Sequence, residues 1–170
     1  MPIVRKAQRS DAKALAEIAE VTFREAFGAA NTADNMELHC SSSYGEAIQA
    51  GEIDDPSLVT LISEEGQHLI GFAQLRWSKK PSCVTEESAA EIQRIYVAQA
   101  WHGQGVAQDL MDAAIAELRK RGSKVVWLGV WEHNPRAITF YKKLGFSEVG
   151  DHVFPLGRDP QRDILMARAL

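Results

Sequence analysis

The stretch that decides the fold is EIQRIYVAQAWHGQGVAQDLM, residues 91–111. Its opening, Glu91–Val97, mixes β-branched, aromatic and polar residues as strands do. Its end begins a helix over Gly105–Arg121, whose last turn, Arg119-Lys120-Arg121, suits the negative end of a helix dipole. Between them, Gly103 and Gly105 mark a strand-to-helix junction. A helix start offers unpaired N–H groups and partial positive charge, which suit a phosphate or pyrophosphate. Glycines there permit positive φ and let an anion reach the amides with no Cβ in the way. Neither the three-glycine dinucleotide fingerprint nor a P-loop Gly-Lys-Ser/Thr is present. Taken alone, the turn is either an anion cradle or a plain tight turn.

Downstream, Val125–Trp131 is apolar on both faces, with Val125, Trp127 and Trp131 on one and Val126, Leu128 and Val130 on the other. Such a strand belongs in a sheet interior. Gly129 within it fits either a close approach or relief of packing between tryptophans. Asn134 is an N-cap with proline at N1 for a helix over Pro135–Leu144, and Gly145 is its stop. Strands over Phe146–Phe154 and Ile164–Leu170 close the chain around a turn rich in Gly, Asp and Pro.

Upstream, Ile3–Ala7 reads as a strand. Leu15, Ile18, Ala19, Thr22, Phe23, Ala26 and Phe27 form one helical face, with Ser10 or Asp11 as N-cap and Gly28 as its end. A second helix starts near Asn31–Thr32. A third follows Ser43, which has capping-box spacing to Glu46. Leu58–Ile62 and Leu69–Trp77 form a hairpin, and the polar segment Lys79–Ser88 is a loop. This order is mixed α/β, and 170 residues without repeat or linker form one domain, residues 1–170. The net charge of −4 disfavours nucleic-acid binding, and there is no recognition helix with a basic stripe. Cys40 and Cys83 are too few for a disulfide framework or a four-ligand zinc site, so they read as reduced core thiols. No apolar run approaches membrane-spanning length, so no membrane partner, no metal and a cytoplasmic location are expected.

The segment His102-Gly103-Gln104-Gly105-Val106-Ala107 resembles the acyl-CoA signature of the GNAT N-acetyltransferases, [R/Q]-x-x-G-x-[G/A], with His102 where that family has Arg or Gln. Asn134-Pro135-Arg136-Ala137-Ile138-Thr139-Phe140-Tyr141-Lys142-Lys143-Leu144-Gly145-Phe146 looks like its second hallmark, N-x-x-A-x-x-[F/L]-Y-x-x-x-G-F. The strings EIQRIYV, VWLGVWEHNPRAITFYKKLGF and HVFPLGRDPQRDILMARAL, with TFREAF and NTADNM near the start, are further similar to the PaiA type of polyamine acetyltransferase within the family. The resemblance implies a GNAT fold: a mixed, mostly antiparallel sheet of about six or seven strands, flanked by about four or five helices, with strands 91–97 and 125–131 splayed. It also implies acetyl-CoA as cosubstrate, direct transfer to an amine, and a monomer or homodimer.

By the same resemblance, backbone groups of Ile95, Tyr96 and Val97 bind the acetyl carbonyl and pantetheine. The residues His102, Gly103, Gln104, Gly105, Val106, Ala107 and Gln108 cradle the pyrophosphate, and Asn134 and Ala137 meet the pantetheine arm. Tyr141 lies two helical turns beyond Asn134, beside the sulfur. A phenol is protonated at neutral pH and can donate to a departing thiolate. Lys142 and Lys143 either touch the 3′-phosphate or offset the helix dipole. Glu91 is the candidate base, sharing by period two a face with Gln93, Ile95 and Val97; Glu132 and His133 are rivals on position. Glu25–Leu75 contains no Lys or Arg but nine acids: Glu25, Asp34, Glu37, Glu46, Glu52, Asp54, Asp55, Glu64 and Glu65. As an acceptor wall these would favour a cation such as spermidine or spermine, although aminoglycosides and peptide amines are cationic too. The other class of function open to the chain is an acetyl-CoA-binding regulator without catalysis.

Overall fold

The doubly apolar segment Val125–Trp131 (β5) does take an interior place, with neighbours on both sides. The computed structural model describes residues 1–170. Before β5 come β1 (Ile3–Lys6), α1 (Ala12–Phe27), α2 (Ala33–Ser43), α3 (Glu46–Asp54), β2 (Leu58–Glu65), β3 (His68–Arg76), β4 (Ala89–Val97) and α4 (Val106–Lys120). After it follow α5 (Pro135–Lys143), β6 (Ser147–Leu156) and β7 (Asp159–Ala169). One seven-stranded sheet runs β1-β2-β3-β4-β5-β7-β6, antiparallel everywhere except between β4 and β5. The expected mixed sheet with five helices is what forms.

Strand alternation sorts the core into two main layers. Val126, Leu128 and Val130 pack with Leu110, Met111, Ala114 and Leu118 of α4 and Tyr141 of α5. On the opposite face Leu15, Ala19 and Phe23 of α1 meet Ile62, Phe72, and Met36 and Cys40 of α2. The loop after β3 drops Val84 onto Trp127 and Leu165. No helix is long and apolar enough to cross a membrane.

Three local expectations change. The Ser43–Glu46 capping box does not form, because α2 continues through Ser43 and Gly45 precedes α3. Buried Gln49 bridges that corner instead: Gly45 N–H donates to Gln49 Oε1, and Gln49 Nε2 donates to the Ser43 carbonyl. Asp11 takes the N-cap position of α1 as expected, but its side chain accepts from Gln8 N–H and pairs with Arg5 at 2.8 Å, closing a short 3-10 turn and making no cap bond to α1. The last two strands are longer than their apolar residues suggest and turn tightly at Gly157 (φ +62°) and Arg158. Pro155 and Pro160 face each other there, one pair beyond the turn, where neither nitrogen owes a ladder hydrogen bond.

Leu110 is fully buried where α4 meets the sheet. Leu110→Ala is expected to destabilise the chain by about 3 kcal/mol, read as a lower urea midpoint at unchanged m-value.

Candidate active site

β4 and β5 pair only at Ala89–Val125, Ala90–Val126 and Glu91–Trp127, and then diverge. Beyond that point β4 remains bonded to β3 on one side alone. Ala98 N–H donates to the Ile70 carbonyl at 2.8 Å, so alternation directs the main-chain groups of Tyr96 at β3 and those of Ile95 and Val97 into the gap. Tyr96 therefore brings its ring to the site while its amide is used within the sheet. The gap opens into a cleft of about 490 Å³ between β4, β5, α1 and α5.

The shared face expected for Glu91, Gln93, Ile95 and Val97 does not exist. Leu75 pairs with Ile92 and Gln74 with Arg94, which leaves Gln93 as an extra residue and reverses the alternation. Glu91 thus falls on the face of Arg94 and Tyr96. It is buried, bonded to Arg76 at 2.6 Å, and absent from the cleft lining. Burial pushes its carboxyl up while Arg76 pulls it down. Glu132 is likewise outside the cleft, paired with Arg162 at 3.1 Å; His133 lines it.

At the cleft rim, Gly103 (φ +77°) and Gly105 (φ +86°) hold the left-handed conformations that the turn requires. The amides of residues 103–108 donate to no backbone carbonyl, and the first helical bond is Asp109 N–H to Gly105 at 3.0 Å. A Cβ on either glycine would project into open space. Six consecutive free donors at a helix N-terminus fit the diphosphate of coenzyme A. The side chains of Gln104 and Gln108 turn back onto Ala100 and Asp112, leaving their amides free. His102 stands where a family arginine or glutamine is expected and recruits a guanidinium from elsewhere. Arg136 donates to Nδ1 at 2.7 Å, so Nε2 carries the proton and donates to the Val97 carbonyl at 2.8 Å.

Asn134 caps α5, accepting Ala137 N–H at 3.2 Å, and Tyr141 follows on the same wall of the cleft. The Tyr141 ring is buried against Phe140 and Phe146, and burial raises its phenol well above the ordinary tyrosine value. Lys143 lies outside the cleft, in a neighbouring groove with Arg136 and Thr139, while Lys142 pairs with Glu148 at 3.4 Å.

The acid-rich stretch does not assemble into an acceptor wall. Glu37, Glu52, Asp54 and Glu64 are paired with Arg24, Arg94, Arg9 and Arg5, and Asp55 bonds Ser57. Of the nine acids only Glu25 lines the cleft. The wall is aromatic: Phe27 lies edge-on to Tyr96 at 6.3 Å and to Trp131 at 5.9 Å, and Phe154 is on the far side. Its other carboxylate, Asp163, precedes the apolar run Ile164–Leu170, a place that reads as a turn in the sequence. Only the Trp131–Asp163 register brings it to the cleft. Arg136 has no signal in its own motif; the unusual His102 that it bonds is what points to it.

An open strand pair above a turn of free amides, with a buried phenol at its side, defines an acyltransferase that draws its acyl group from coenzyme A. The acetyltransferase (GNAT) family model matches residues 13–146, and the chain belongs to this family. It is 31% identical over 153 residues to an uncharacterized N-acetyltransferase in the pepI 3' region of Lactobacillus delbrueckii subsp. lactis, covering 90% of this chain and 88% of that one. An uncharacterized N-acetyltransferase of Mycobacterium tuberculosis is 30% identical over 161 residues, 95% of this chain and 99% of that one. Among solved structures, PaiA N-acetyltransferase from Thermoplasma acidophilum in complex with coenzyme A superposes with a TM-score of 0.80 at 20% identity, over 100% of this chain and 99% of that one. That likeness concerns the fold.

Gly105→Ala puts a methyl group where the anion would sit and strains a left-handed residue by about 1–2 kcal/mol. Calorimetry should show acetyl-CoA affinity at least tenfold lower, and Arg136→Ala a smaller loss that fades at high salt.

Proposed function

We propose that the enzyme transfers the acetyl group of acetyl-CoA directly to a primary amine, with a cationic small molecule such as spermidine or spermine as acceptor. The observation that carries this reading is the opening of β4 from β5 beyond Glu91, which frees the main chain of Ile95 and the N–H of Val97 between the amide turn and Tyr141. The Ile95 and Val97 groups hold the acetyl carbonyl and pantetheine, and the amides of Gly103–Gln108 hold the diphosphate. Tyr141 is then the general acid. Its raised pKa keeps the phenol protonated across the physiological range, and departing thiolate is where the proton goes.

The polyamine acceptor rests on the similarity of the β4, β5 and β7 strings to the PaiA type. The acidic stretch lends it less than composition promises, because only Glu25 of those nine reaches the cleft. A thiol-release assay with acetyl-CoA and a panel of polyamines, aminoglycosides and peptide amines tests the acceptor directly: release with spermidine or spermine and little with the others supports the reading, and the reverse order contradicts it. Tyr141→Phe should lower kcat about 100-fold and leave the Kd for CoA within twofold. Because the phenol is held protonated, the wild-type rate should show no alkaline fall from tyrosine below pH about 10.

A further inference from the structure

The amine must lose a proton before it can attack, and the candidate carboxylate on β4 lies outside the cleft lining, bonded to Arg76. One other carboxylate lies, largely covered, at the opening of the sheet. Asp163 on β7 lines the cleft, and its side chain is 13% exposed. Its ionic neighbour is His152 on β6, with Nε2 at 3.7 Å from Oδ2, and that imidazole is 41% exposed to solvent. Both lie over Gly129 of β5. A Cβ there would come within 3.2 Å of Asp163 Oδ2 and 3.3 Å of His152 Nε2, so the absence of a side chain at 129 is what makes room for the pair. Gly129 sits two residues past the last β4–β5 pair, where the strands have parted.

We propose that Asp163 receives the ammonium of the acceptor and takes its proton, with His152 carrying that proton on to solvent. The inference rests on the amine reading above and adds the acceptor subsite: one largely covered carboxylate under walls formed by Phe27, Tyr96, Trp131 and Phe154. Such a subsite takes a primary ammonium on an apolar or extended carbon body, since aromatic faces also attract the cation. Other groups with charge or a titratable proton share its sheet face or line the same cleft, Glu25, His102, His133 and Arg136 among the latter. Tyr96, Arg94 and Glu91 come from β4, and Arg76 from β3 holds Glu91; β5 contributes none. Arg94 is neutralised by Glu52 at 3.0 Å, so it does not compete for Asp163. Burial lifts the Asp163 carboxyl above the usual carboxylate range, which makes it a better proton acceptor, and His152 opposes that lift.

The proton balance closes. The ammonium gives one proton to Asp163, and through His152 to solvent. The freed nitrogen lone pair forms the C–N bond as the C–S bond breaks, and the thiolate takes the Tyr141 proton. The second proton on the attacking nitrogen returns to the tyrosine through water. The net products are amide, thiol and one proton.

The test follows thiol release from acetyl-CoA between pH 6 and 10, with spermidine and with n-butylamine as a single-amine probe. For Asp163→Asn, kcat/KM should fall about 100-fold at neutral pH. The deficit should narrow below tenfold near pH 10, where about a third of the amine is already neutral. Affinity for CoA should stay within twofold of wild type. His152→Gln, at an exposed position, should lose about five- to tenfold and show the same narrowing. A deficit equal at every pH, a wild-type profile, or narrowing confined to Glu91→Gln would overturn the assignment. If wild type releases no thiol with either amine, the acceptor reading of the preceding section fails on its own. The Asp163 assignment is then decided by the His152 imidazole resonance on adding n-butylamine to the CoA-loaded chain. A shift in wild type that Asp163→Asn abolishes supports it, and equal shifts or none overturn it.

Discussion

The structure depends on a pairing that stops. Three residues of β4 bond in parallel to β5, and then the two central strands of a seven-stranded sheet let go of each other. Backbone N–H and C=O groups in a protein interior demand partners. Interior strands that part expose such groups over a cleft, and a ligand with amides and a carbonyl of its own can satisfy them. The sheet is stable in spite of the gap because each half is braced elsewhere. β3 holds β4 along its length, β7 holds all of β5, and α4 packs across the first half while α5 closes over the second.

The same economy of partners governs the turn of free amides. A helix N-terminus always leaves amides unbonded, and here the left-handed glycines extend that row back into the turn. His102 shows how a departure from a family pattern is absorbed. Nδ1 accepts a hydrogen bond from Arg136, so the imidazole ties a guanidinium of α5 to the end of β4. This end of the cleft is therefore built from two elements that the sequence separates by more than thirty residues.

Much of this was legible in the sequence because it is local. The glycine turn, the Asn134 cap, the placing of Tyr141 and the two-faced apolarity of β5 each depend on residues within a few positions of one another, and the structure has the same elements. What could not be read depends on register. One extra residue at Gln93 moves Glu91 to the other face, and no pattern in EIQRIYV announces a bulge. Asp163 looks like a turn residue until pairing with Trp131 carries β7 past it. Net charge over Glu25–Leu75 misleads for a similar reason, since the arginines that neutralise it lie outside the stretch in sequence and against it in space. Composition counts charges but does not pair them.

Amide hydrogen exchange, resolved by residue and recorded with and without saturating CoA, tests the central claim most directly. The account predicts slowed exchange at Ile95, Val97 and the run 103–108, and no change at Tyr96, whose amide is already bonded to β3. Protection that spared the turn and the open edge of β4, or that appeared at another surface, would contradict it.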